Sequence, residues 1–90
     1  MTAYLISYDL NKSGKKYNEL YESLKSYEHY WHYLDSTWII KTDETTQQIF
    51  EKIKVNLDDD DTLLIIEIKN NKQGWLPQSA WDYLNNTIFN

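Results

Sequence analysis

Ninety residues with no composition break hold one domain and one core, and a chain this short covers only about 60–70% of its unfolded surface on folding, so domains of this size often draw help from disulfides, a metal or a partner subunit. The absence of cysteine excludes disulfides, thiolate zinc sites and a cysteine nucleophile, and fits a reducing compartment. A net charge of −5, with nine lysines and no arginine, excludes a broad polyanion-binding surface and the bidentate phosphate fork, so any nucleic-acid contact has to be local.

From Ala3 to Leu10 the chain is apolar or β-forming almost without a break, which predicts a central strand covered on both faces. This N-terminal run reaches Asp9 quickly and lacks a basic leader and a small-residue cleavage site, so it does not read as a signal peptide. No stretch approaches the ~18–20 apolar residues that span a bilayer, and the expectation is a soluble, cytoplasmic protein without a membrane partner. Asn11, Lys12, Ser13 and Gly14 form a loop in which Asn11 or Ser13 is placed to cap a helix. Tyr17, Leu20, Tyr21, Leu24 and Tyr27 then recur at steps of three and four, predicting that helix over about Lys15 to Ser26. In EHYWHYLDSTWIIKT two aromatic or β-branched runs flank Asp35 and Ser36, the pattern of a hairpin or a bulged bend.

Asp43 or Thr45 starts a second helix, with Ile49, Phe50, Ile53 and Leu57 to one side. The acidic run Asp58 to Asp61 ends it. Without interleaved ligand spacing or a glycine, that run reads as a solvated turn rather than a cation site. Leu63 to Ile68, interrupted by Glu67, is a further continuous apolar strand. After the polar turn from Asn70 to Gly74 and the segment Trp75, Leu76, Pro77, a short terminal helix begins near Ser79 with Trp81, Leu84 and Ile88 on one face. The order strand, helix, strand, strand, helix, strand predicts one α+β domain over residues 1–90, a ferredoxin-like βαββαβ sandwich with a short C-terminal helical tail. Helices cover one sheet face, and the other needs a second protomer or the tryptophan-rich tail.

Among polar residues Asp9 is the most informative, because a carboxylate near the end of a central strand either caps the following loop or faces a cleft or partner. In the second case it is a magnesium ligand. Mg²⁺ is held by one or two carboxylates with water and phosphate oxygens, so a twofold dimer builds a site from one acidic position. His29 and His32 are three apart and fall on opposite faces of a strand, which leaves His32 alone as a candidate proton shuttle near Ser36. Ser36 has no base and orienting acid in order, so a hydrolase triad has no support. With Gly14 and Gly74 the only glycines, there is no phosphate-binding glycine loop. The four tryptophans and the 16% aromatic content supply a core and a dimer face first, and rings for stacking on bases second.

The succession of LISYDL as first strand, a lysine-bearing loop and helix, and LDSTWIIKT at the second hairpin resembles the CRISPR-associated Cas-two family and its stand-alone relatives, among them VapD-type toxin endoribonucleases. The likeness runs over roughly Ala3 to Lys69. It implies a ferredoxin-like homodimer whose strand-ending aspartate, Asp9 here, lies at the interface and serves metal-dependent phosphodiester cleavage. Ser36 and Trp38 match the family's serine-then-aromatic signature, with tryptophan where phenylalanine or tyrosine is usual. Two departures are visible: Lys12, Lys15 and Lys16 stand where arginines are frequent, and the tail GWLPQSAWDYLNN looks like that of stand-alone relatives rather than of integrase-docking members.

The expectation is a Mg-dependent endoribonuclease acting as a homodimer, with Asp9 on the metal and as catalytic residue, His32 as proton shuttle, and Asn11, Lys12, Lys15, Lys16, Ser36 and Trp38 toward RNA or nucleotide. The alternative is a non-catalytic dimer that binds a nucleotide, a nucleic acid or a protein in a phage or mobile-element defence or counter-defence setting.

Overall fold

Alternation along the first strand decides the architecture. Tyr4, Ile6 and Tyr8 point to one side and Ala3, Leu5 and Ser7 to the other, so this segment is at home in the middle of a sheet. The computed structural model describes residues 1–11 and 17–90. In it β1 (Thr2–Asp9) lies between β3 (Thr37–Thr42) and β4 (Thr62–Ile68), and β2 (His29–Leu34) pairs with β3, giving one antiparallel sheet in the order β2-β3-β1-β4. Helix α1 (Asn18–Lys25) joins β1 to β2, and α2 (Thr46–Ile53), prolonged by a 3₁₀ turn at Lys54–Asn56, joins β3 to β4. A third helix, α3 (Gln78–Tyr83), runs into a π turn at Leu84–Ile88. This is a small α+β domain, compatible with the ferredoxin-like split β-α-β pattern.

The first face of the sheet packs on α1 and α2. Leu20 and Leu24, four apart, and Ile49 and Ile53, four apart, reach down to Tyr4, Ile6, Tyr8, Trp38 and Ile40. Each fully buried aliphatic chain there contributes about 1.5–3 kcal/mol relative to exposure. Helix α2 starts as its sequence predicts: Thr45 Oγ1 accepts from the Gln48 N–H at 3.1 Å, and Gln48 Oε1 accepts from the Thr45 N–H at 2.8 Å, a complete capping box. The hairpin also forms where expected, with Asp35 and Ser36 between β2 and β3 and a register shift between Trp31 and Leu34.

Two features go beyond the expectation. Leu63 to Ile68 is the continuous apolar strand expected, but β4 is an edge strand, and Leu64 and Ile66 are 57% and 49% exposed. Phe50, one step around the helix from Ile49, overhangs that edge near Leu63 and Leu64 and is itself exposed instead of joining the core.

The second face is divided. Over β2 and β3 it is sealed by the tail: Ala80, Leu84 and Ile88 pack on Ala3, Trp31 and Ile39, with Ile68 and Trp81 at the margin. Two polar ties fix this docking. Trp31 Nε1 donates to the Ala80 carbonyl at 3.1 Å inside the core, and Lys41 Nζ donates to the Thr87 carbonyl at 3.0 Å, satisfying a carbonyl of the last turn. Beyond Ala3 and Ile68 the tail does not cover β1 and β4. The cross-strand rows Leu5–Ile66 and Ser7–Leu64 face outward there.

Candidate functional site

The sequence-predicted residues gather at the sheet end where β1 finishes. Ser7 sits opposite Thr37 and Asp9 opposite Thr62, and the Tyr8 N–H donates to the Ser36 carbonyl at 3.1 Å, so the end of β1, the Asp35–Ser36 turn and the start of β4 form one rim. Lys12, Lys15, Lys16 and the proposed cap Ser13 lie outside the described residues. Asn11 is not a helix cap. Its backbone N–H donates to Asp61 Oδ1 at 3.0 Å and its side-chain amide to the Asp60 carbonyl at 2.7 Å. Asp61 also accepts from the Tyr17 hydroxyl at 2.7 Å and the Asp58 N–H at 2.8 Å. The acidic run is therefore more than a solvated turn: one of its carboxylates ties the exit of β1, the approach to α1 and the approach to β4 together.

Strand alternation divides the rim into two faces. On the open face Asp9 is exposed and borders a shallow depression of about 260 Å³ with Ser7, Thr62 and Leu64. No second carboxylate lines it. Among the described residues no group of three or more His, Asp or Glu side chains is gathered to hold a metal ion. The depression itself thus offers one acidic oxygen pair per chain, with Asp35 and Asp61 elsewhere on the rim.

On the helix face stand Tyr8, Trp38 and His32. Trp38 is only 1% exposed, and its Nε1 donates to the Tyr8 hydroxyl at 2.9 Å. The Tyr8 hydroxyl in turn donates to the Asp35 carbonyl at 3.5 Å, and burial pushes its pKa above the ordinary tyrosine value. His32 lies flat on Trp38, ring centroids 3.8 Å apart and planes 15° apart. His32 Nε2 is 3.1 Å from the same Asp35 carbonyl; since a carbonyl can only accept, Nε2 is the protonated nitrogen. Asp9 and His32 therefore sit on opposite faces of one sheet and do not act on the same atom within a chain. His29, with Trp31, is on the tail side, apart from His32 as the strand spacing predicts. Ser36 is exposed in the turn.

Sequence reading missed a second feature. Around the β2 edge Tyr30, His32, Tyr33 and Trp38, with Tyr83 from α3 and Lys25 and Glu28 from the end of α1, enclose a recess of about 530 Å³. The signal was present in EHYWHY, where Tyr30 and His32 are two apart and share a face, but Tyr83 comes from an element whose docking no local pattern specifies. Among the described residues no helix is long and apolar enough to cross a membrane. Comparison of the chain with protein-family models, with characterised proteins and with solved structures finds no match, so function is read from these residues and their geometry alone.

Proposed function

We propose that the chain is a ferredoxin-like protein that pairs with a copy of itself through the open β1–β4 half of its sheet and acts as a magnesium-dependent endoribonuclease. One observation carries this reading: an exposed carboxylate, Asp9, borders an uncovered apolar surface built from Leu5, Leu64 and Ile66. A copy placed on that surface about a twofold axis passing beside Asp9 would bring the two aspartates together, and two carboxylates with water and phosphate oxygens suit Mg²⁺. When bound, the ion would polarise a phosphoryl oxygen and activate water. Asp9 would hold it, the apolar contact would exclude bulk water from the seam, and Lys12, Lys15 and Lys16, next along the chain, would supply point charges for phosphate. His32, on the other face, is no proton donor to this centre in its own chain.

A second reading keeps the paired surface and drops the chemistry: a binding dimer for a nucleotide, an oligonucleotide or a protein, in a defence or counter-defence setting. The acidic net charge and the lack of arginine favour it. Incubation of labelled RNA with purified protein and Mg²⁺ separates the two. The nuclease reading requires cleavage that chelation abolishes and that an Asp9→Asn variant reduces to background. Equal cleavage by both proteins sinks it. Light scattering decides the pairing independently, since a monomer at micromolar concentration removes the shared-carboxylate site.

A further inference from the structure

The recess wraps the β2 edge, from His32 and Trp38 on the helix face to Tyr83 of the tail, away from Asp9, and nothing in the preceding reading uses it. We propose that it is a binding site for a purine base, carried by a nucleoside or nucleoside monophosphate, with guanine favoured over adenine.

The first ground is a prepared stacking platform. Tyr21, Trp38 and His32 stand in nearly parallel planes: Trp38 makes an angle of 16° with Tyr21 and 15° with His32. The Asp35 carbonyl holds the imidazole, and the Tyr8 hydroxyl holds the indole. His32 is exposed above this stack and Tyr30 leans on the same indole at 5.7 Å, so the platform is rigid beneath and open above. A planar ring added to it loses little protein entropy, because the rings are already fixed.

Size and polarity are the second ground. A recess of about 530 Å³ falls in the ordinary range of about 300–1,000 Å³ for small-ligand sites. Its rim carries one ammonium, Lys25, and one carboxylate, Glu28, the latter 3.8 Å from His29 Nε2. This pairing discriminates among aromatic guests. A quaternary ammonium would want the carboxylate without the lysine. A nucleoside triphosphate or a polynucleotide would want several cations, and Asp35 beside His32 and Lys25 in the adjoining recess repels it further. Guanine carries two N–H donors on one edge for a carboxylate and a carbonyl oxygen for an ammonium, while its π face suits the platform.

The test adds guanosine, guanosine monophosphate, adenosine monophosphate, guanosine triphosphate and plain indole separately to the intact chain, following His32, Tyr30 and Trp38 ring resonances by NMR. Saturable shifts confined to these rings are expected with guanosine and its monophosphate. The affinity should fall roughly tenfold in His32→Ala, as for loss of one stacking partner. In the exposed, fold-neutral Glu28→Gln variant the guanine preference should vanish while stacking persists. Asp9→Asn should bind normally, which keeps this result separate from the fate of the nuclease reading. Equal binding of indole, tighter binding of the triphosphate, an unchanged guanine preference in Glu28→Gln, or no shift at millimolar guanosine would each overturn the proposal.

Discussion

The two halves of the sheet's second face begin from similar chemistry and end differently. Trp31 and Ile39 on the β2–β3 side are buried by α3 and its π turn, whereas Leu64 and Ile66 on the β1–β4 side stay in water. The covered half carries polar ties specific to the tail, the indole N–H of Trp31 and the ammonium of Lys41, each aimed at a tail carbonyl. The open half, Leu5, Ser7, Leu64 and Ile66, presents mostly aliphatic surface with no anchoring donor of that kind. An apolar row takes any apolar cover, while a placed hydrogen-bond donor selects one.

Three perturbations probe this contrast, the largest effect first. Trp31→Ala removes a buried ring and its bond to Ala80, and should cost about 3–5 kcal/mol in denaturant unfolding, enough to loosen the tail. A smaller loss would mean that the tail's apolar residues alone hold the covered half. Ile66→Lys, in contrast, should change the stability of the isolated chain by no more than about 0.5 kcal/mol, since lysine suits a sheet edge. The same variant should abolish self-association in sedimentation equilibrium; an unaltered dimer would move the interface elsewhere.

The smallest effect is a pH control on the helix face. Glu44 accepts from the Tyr27 hydroxyl at 2.7 Å and Lys52 Nζ at 2.9 Å, and these hold its carboxyl below the usual glutamate value. Its contribution is therefore in place at neutral pH and is lost as the pH falls through that lowered value. Glu44→Gln should flatten the acid limb of the melting-temperature profile equally at all protein concentrations, because this contact is internal to the chain. A concentration-dependent change would implicate the helix face in association.

The helices and the hairpin were legible because their signals are local. Thr45 and Gln48 are three apart and cap each other, and Asp35–Ser36 is a turn between two β-forming runs. The edge position of β4 was not legible for a physical reason: an unbroken apolar run is the same sequence whether the strand lies between neighbours or at the margin. The Asn11–Asp61 tie joins residues 50 apart, and nothing local marks it. Of the candidate site, Asp9, His32 and Trp38 lie near one end of the sheet, but their division between two faces depends on strand register, which no local pattern gives. The recess lined by Tyr83 needed the tail in place.

The two outer margins of the sheet are unlike. Along β2, Tyr83 from α3 lines the same recess as Tyr30, and the irregularity between Trp31 and Leu34 interrupts the ladder, so that border is blunted. The β4 border is regular from Thr62 to Ile68, with Phe50 overhanging only its Leu63–Leu64 end. Growth of a fibre requires two complementary sticky borders, one adding to the next without end. A sheet blunted on one side lacks one of those two borders, which disfavours open-ended growth by strand pairing in this small, aromatic-rich chain.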